Sequence, residues 1–199
     1  MAAQGPNRLV LASASPRRRE LLERLTSDFL VVPSGIDETR IEIADGRVLD
    51  RARAKARAVH AVHDGVIIAA DTVVILDGQI LGKPDDRAEA RSMLRRLSER
   101  CHTVSTGLCV LDGRTGIELS HCEETAVTFR TIDDAEVEAY LATDEYRDKA
   151  GGYAIQGVAA KFVCRIDGDY TNVIGLPLCR LTLLLWEVGQ WAVMSPLGS

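Results

Sequence analysis

Residues 13–19 hold the strongest chemical signal: Ser13, Ala14, Ser15 and Pro16 run into Arg17, Arg18 and Arg19, directly after the short apolar run Leu9 to Ala12. Small hydroxyl residues let the chain turn tightly. A proline suits the first helical turn, where its missing N–H costs nothing. That turn leaves N–H groups unpaired at the positive end of the helix dipole. Arginine forks beside it make a site for a polyanion, phosphate above all. The plain alternative is a capped helix with a solvated basic turn. Arginine in a first turn opposes the dipole, however, so three in succession favour the anion site.

Four more charged residues stand in unusual places. Asp71 ends the apolar run Ile67 to Ala70, which predicts a carboxylate at the carboxyl edge of a strand, where open α/β sheets place ligands. Glu38 follows Asp37 after the Ser34-Gly35 turn. Lys55 falls within the apolar stripe Val48, Ala52, Ala56, Val59 and Val62 of a predicted helix. Lys83 lies between Gly82 and Pro84, just past another strand. Each has a bland reading: a turn cap, a solvated acidic loop, a snorkelling lysine, a surface lysine. Together they supply cations for a triphosphate, and carboxylates for a divalent ion and a water.

The elements that must position these residues alternate between strand-like and helical patterns, which predicts an α/β architecture. Strands are predicted at 9–12, 29–32, 66–70 with an extension over 73–76, 80–81, 102–111, 117–130, 163–166 and 173–174. Helices are predicted from Pro16 through Leu21, Leu22 and Leu25, and over 47–63, 86–98, 133–141 and 176–188. Residues 149–157 read as a glycine-rich loop. The expected organisation is one domain over 8–192, with flexible ends at 1–7 and 193–199.

Composition narrows the classes. The chain has 199 residues, 46% hydrophobic and 27% charged, with a formal charge of −5, which argues against an extended nucleic-acid surface. The longest apolar runs are too short for a membrane span, and residues 1–7 lack a signal-peptide layout. Five scattered cysteines without a C-x-x-C pair suit a reducing compartment, so a cytoplasmic location is expected. Cys101 and Cys109 are read as core. His60 and His63 are spaced like a metal pair but have no third ligand nearby, and Trp186 and Trp191 read as packing or dimer contacts. Neither a Walker A sequence nor Gly-x-Gly-x-x-Gly after a strand is present.

The motifs, in order, are Ser13-Ala-Ser-Pro-Arg17-Arg18, Ser34-Gly-Ile-Asp-Glu38, Lys55, Ala70-Asp71-Thr72-Val-Val, Gly82-Lys83-Pro84, Asp148-Lys149-Ala-Gly-Gly-Tyr-Ala-Ile-Gln156-Gly157 and Asn172-Val-Ile-Gly-Leu-Pro177. This series resembles the Maf family of nucleoside triphosphate pyrophosphatases. The resemblance implies a central mixed twisted sheet flanked by helices, with two lobes around a cleft in the manner of inosine triphosphate pyrophosphatases. It implies hydrolysis of a nucleoside triphosphate to the monophosphate and pyrophosphate. Arg17 with Thr72 and Gln156 resembles the branch acting on dTTP and UTP. Ala154 and Ala159-Ala160 depart from the pattern, small residue for small residue.

By the same resemblance, Asp71 is the general base, and Glu38 and Asp71 hold a divalent cation, Mg²⁺ first, with Mn²⁺ or Co²⁺ as alternatives. Lys55 and Lys83 add charge at the α-phosphate and the leaving group. Ser13, Arg17, Arg18 and Lys149 contact the substrate, and Thr72 and Gln156 meet the pyrimidine edge. A homodimer is implied. One rival function is a nucleotide-sensing regulator of septum formation in cell division, in which the cleft senses a nucleotide and a surface binds a division protein; a second is the same reaction on another base, such as a modified pyrimidine or a purine.

Overall fold

The three residues of β1 (Leu9–Leu11) are all buried, as a strand covered on both faces requires. In the computed structural model, which describes residues 8–36 and 48–190, the chain continues through α1 (Pro16–Glu23), β2 (Phe29–Val31), α2 (Val48–His60), β3 (Val66–Leu76), β4 (Gln79–Leu81) and α3 (Arg87–Leu97). Then come β5 (Cys101–Asp112), β6 (Glu118–Phe129), α4 (Asp134–Leu141), β7 (Val163–Asp167), α5 (Tyr170–Ile174) and α6 (Leu178–Glu187), with short 3₁₀ helices at Ala150–Gly152 and Val158–Phe162. Among the described residues the strands pair in one seven-stranded sheet, ordered β2-β1-β3-β5-β6-β7, with β4 beside β3. β1 is parallel to β2 and β3, whereas β3–β4 and β6–β7 are antiparallel. The fold is α/β, a central mixed sheet flanked by helices.

The chain divides into two compact units. The first takes the described residues of Met1–Asp71, Gly107–Cys122 and Gly175–Ser199, and the second takes Thr72–Thr106 and Glu123–Ile174. In the first, alternate residues of three strands, Val10 and Ala12, Ile67 and Ala69, Cys109 and Leu111, pack with Ala52, Ala56 and Val59 of α2. Strand period and helix period thus meet on one face. Gly107 sets how close they come: a Cβ there would stand 2.6 Å from the backbone of Val48 and Leu49. The start of α2 therefore rests against bare strand backbone.

In the second unit α3 buries Ala90, Met93, Leu94 and Leu97, and α4 buries Val137, Tyr140 and Leu141. Both helices begin at an aspartate whose side chain accepts a backbone N–H, Asp86 from Glu89 and Asp133 from Glu136, each at 2.8 Å. Ion pairs Arg91–Glu138 and Arg95–Asp134 join their exposed sides. An aromatic group fills the interior: Phe129 meets Tyr153 and His102 edge-to-face at 4.9 Å each, and Tyr140 meets Phe162 at 5.6 Å.

Several expectations are corrected. β3 does not stop at Ala70 but runs unbroken through Asp71 and Thr72 to Leu76, so Asp71 is a mid-strand residue. Residues 173–174 are helical, not extended. The Asp169 carboxylate accepts from both the N–H and the hydroxyl of Thr171 at 2.6 Å, a helix-starting cap that outweighs the strand preference of Val173 and Ile174. Of the two cysteines read as core, Cys109 is buried but Cys101, at the open end of β5, is exposed. Val62 lies beyond the end of α2 and is 73% exposed. Leu25 falls past the end of α1 and is only half-buried. The ends 1–7 and 193–199, together with Glu38 and Trp191, lie outside the described residues. Among the described residues no helix is long and apolar enough to cross a membrane.

Candidate active site

The alternation of β3 carries the site. Ile67 and Ala69 face α2, and Asp71 is next in that series. On α2, Lys55 shares the buried face of Ala52, Ala56 and Val59. The Lys55 ammonium donates to Asp71 Oδ1 at 2.7 Å, and the two side chains are only 6% and 8% exposed. A buried carboxylate without a counter-charge would be very costly, so the pair explains how a strand otherwise buried on both faces accepts an aspartate.

Arg51, one helical turn before Lys55, brings Nη1 to 3.8 Å from Asp71 Oδ2. That oxygen is buried and accepts no hydrogen bond among the described residues. Asp71 therefore keeps one acceptor oxygen, within ion-pair distance of Arg51, that has no hydrogen bond among those residues. Sequence reading passed over Arg51, although its i, i+4 spacing from Lys55 was a usable signal.

Where β1 gives way to α1, Ser13 is buried and its hydroxyl oxygen accepts from the Ser15 N–H at 3.1 Å and from Arg18 Nη1 at 3.4 Å. Arg18 Nε donates to the Gly175 carbonyl at 2.8 Å, fixing the guanidinium between two stretches of chain. Ser15, the cap residue, makes no side-chain bond to the helix terminus. Arg17 and Arg18 are half-buried, whereas Arg19 is exposed and pairs with Glu23 at 2.8 Å. The triple arginine thus separates into two residues at the junction and one surface ion pair.

The remaining expected residues that are described belong to the second unit. The Thr72 and Thr106 hydroxyls are 2.9 Å apart, and Thr106 Oγ1 donates to the Asn172 carbonyl at 3.3 Å. Asn172 is fully buried, with Nδ2 donating to the Val104 carbonyl and to Thr125 Oγ1 at 3.0 and 2.9 Å. Thr106, an uncharged strand residue, carried no sequence signal. Lys83 is exposed, and the neighbouring Gly82 carbonyl accepts from the Gly151 N–H at 2.9 Å. Gly151, at φ 68°, already brings its Cα so near Val74 that a Cβ would lie 3.0 Å from that side chain. Lys149 Nζ donates to the Arg147 carbonyl at 3.0 Å. Gln156 is exposed on a turn closed by the Gly157 N–H on the Ala154 carbonyl at 3.0 Å.

The structure therefore brings Asp71, Lys55 and Arg51 together, joins Ser13 to Arg18, and joins Thr72 to Thr106. The sequence profile of the family described as Maf-like protein matches residues 8–188. The chain belongs to the Maf-like family. Curated relatives similar to it carry the name dTTP/UTP pyrophosphatase. That of Moorella thermoacetica is 51% identical over 182 residues, covering 90% of this chain and 94% of its own. That of Thermococcus gammatolerans is 49% identical, with 92% and 95% covered. That of Deinococcus radiodurans is 47% identical over 191 residues, with 95% and 97% covered.

Against this Maf-like frame, the other titratable groups read as structural. Burial pushes the Cys109 thiol up to about 12, far from the range of a nucleophile. Burial also lowers His102 to about 4, and its Nε2 is 2.8 Å from the Tyr153 hydroxyl, so the ring is a neutral core group. Among the described residues no group of three or more His, Cys, Asp or Glu is gathered in one place. A hard divalent cation does not require one. Mg²⁺ commonly uses one or two carboxylates with waters and substrate phosphates, and the Asp71 carboxylate, with an oxygen that lacks a hydrogen bond among the described residues, fits an ion held through its waters.

Proposed function

We propose that this chain is a hydrolase that cleaves dTTP and UTP to the monophosphate and pyrophosphate, removing them from the nucleotide pool. The single observation that carries the reading is the buried Asp71 carboxylate, clamped on one oxygen by Lys55 and, among the described residues, without a hydrogen bond on the other. It sits within a chain about half identical, over nine-tenths of its length, to dTTP/UTP pyrophosphatases.

Hydrolysis at the α-phosphorus needs a water oxygen to attack in line while the bond to the β-phosphate oxygen breaks and pyrophosphate leaves. Such a reaction demands positioning and charge stabilisation more than covalent chemistry. In this reading Asp71 Oδ2 takes the water's proton. Lys55 holds the carboxylate in place through Oδ1, and its ammonium, with Arg51, offsets negative charge near the α-phosphate. Ser13, Arg17 and Arg18 grip the phosphate chain, and Lys83 and Lys149 meet the charge of the leaving group. Thr72 and Gln156 bond the carbonyl and imide edge of the pyrimidine, since an amide both donates and accepts. Asp71 and Glu38 would hold the cation, Mg²⁺ before Mn²⁺ or Co²⁺. When bound, such an ion neutralises phosphate charge and makes a coordinated water more acidic. The reading further takes residues 8–192 as one working domain, acting in the cytoplasm as a homodimer.

A panel of ordinary and modified triphosphates, each with Mg²⁺, Mn²⁺ or Co²⁺, tests the whole scheme. The expected result is pyrophosphate as the first product, with UTP and dTTP ahead of CTP and the purines. Orthophosphate as the first product would place cleavage at another bond and overturn the proposal.

A further inference from the structure

Two side chains from the end of α4 and the loop after it grasp the turn that carries Gln156. The turn runs from Ala154 to Gly157, with Gln156 at its third position and exposed. At its start, the Ala154 N–H donates to the Tyr140 hydroxyl at 3.2 Å. At its end, the Val158 N–H donates to Glu145 Oε2 at 2.8 Å. Gly157 makes the second grip possible, because a Cβ there would lie 2.1 Å from that same carboxylate oxygen.

The two holders are themselves fixed. Tyr140 is fully buried, with its ring against Phe162. Thr143 links them: its hydroxyl donates to the Tyr140 carbonyl at 2.7 Å and accepts from the Glu145 N–H at 3.3 Å. One continuous run of hydrogen bonds thus connects the buried end of α4 to both ends of a turn that buries Ile155 and exposes Gln156. The buried Ile155 and the Gly157–Ala154 bond fix the middle of the turn, and the Tyr140 and Glu145 bonds fix its two ends; an amide selects a base only if its donor and acceptor stay in place.

We propose that Tyr140 and Glu145 are positioning residues for base selection, holding the 154–157 turn so that the Gln156 amide meets a uracil or thymine edge in preference to cytosine. The proposal rests on the assignment of Gln156 to the base. A displacement of about 1 Å is enough to lose much of the benefit of a placed group.

The test measures kcat/KM for UTP and for CTP in the full-length protein and in the variants Glu145→Ala, Glu145→Gln, Tyr140→Phe, Gly157→Ala, Gln156→Ala and the double variant Glu145→Ala with Gln156→Ala. Thermal melts accompany each. Glu145→Ala should lower the UTP-to-CTP ratio about tenfold, the scale of one lost discriminating contact. Tyr140→Phe and Gly157→Ala should move it the same way. Glu145→Gln keeps an oxygen that can accept the Val158 N–H and should retain the ratio. In the double variant the ratio should equal that of Gln156→Ala alone, because the effect passes through the amide. An unchanged ratio in Glu145→Ala and Tyr140→Phe, beside a lowered one in Gln156→Ala, overturns this proposal and leaves the role of Gln156 standing. An unchanged ratio in Gln156→Ala overturns both. A further drop in the double variant shows a route that bypasses Gln156 and also overturns the proposal.

Discussion

The surroundings of Asp71 and of Gln156 solve different physical problems. Asp71 is a charge inside the sheet, and regular elements set its place: the pairing of β3, the packing of α2, and the bare backbone at Gly107. Gln156 is an uncharged amide at the surface, and side-chain bonds to the backbone of a turn set its place. A desolvated carboxylate interacts strongly with whatever lies beside it, so an error in its position is expensive and a rigid frame is needed. A base-reading amide needs only that its turn be held. On the proposed assignments, the difference teaches that bond-breaking chemistry is built on strand and helix, and selectivity on a tethered loop.

The sharpest way to break this comparison is Asp71→Asn, which preserves shape and removes the proposed proton acceptor. Turnover of UTP should fall about a thousandfold, while calorimetry still detects nucleotide binding; a near-normal kcat would remove Asp71 from its role. Next is Lys55→Met. Taking the ammonium from a buried carboxylate should destabilise the fold by about 3 kcal/mol, read as a lower urea midpoint. The double change Lys55→Met with Asp71→Leu should recover much of that stability without restoring activity. Gly107→Ala follows. Forcing a methyl against the α2 backbone should cost about 2 kcal/mol, and because α2 carries both cations, kcat should fall as well.

The smallest expected effect belongs to the second unit and is purely one of stability. His102 titrates near 4 in the folded protein against 6.5 when unfolded, so in that window the unfolded chain binds a proton that the native one does not. Stability is therefore lost as pH falls from 6.5 toward 4. At pH 5 the loss should be about 2 kcal/mol relative to pH 7, and His102→Gln should flatten the profile. Glu136 and Glu138, held near 2 by Arg130 and Arg91, act lower, as pH falls through their own range below 4.5.

Much of the frame was legible in the residues, because hydrophobic period is a local property. The stripes of α2 and α3, the aspartate starting α4, and the β5–β6 hairpin with its Asp112-Gly113 and Thr115-Gly116 turn signals all emerge near their observed limits. The misreadings fall where a distant or small partner decides. Asp71 looks like the end of a strand because the lysine that lets β3 continue lies sixteen residues away. Val173 and Ile174 look extended because one short aspartate bond starts the helix instead. At the site, the oddly placed Lys55 was found by its charge on an apolar stripe. Arg51 on the same face was overlooked, and Thr106 is indistinguishable from any strand threonine until its bond with Thr72 is seen.

The unbroken course of β3 has an evolutionary corollary. Asp71 and Thr72 are neighbours on opposite faces of one ribbon, with the lysine's partner on one side and the hydroxyl contact on the other. Adding or deleting a single residue upstream within that ribbon would turn every following side chain over, exchanging the carboxylate for the threonine. Length changes in this gene segment should therefore survive only in pairs, and the bend at Asp77-Gly78, with both residues at positive φ, limits which residues can occupy it.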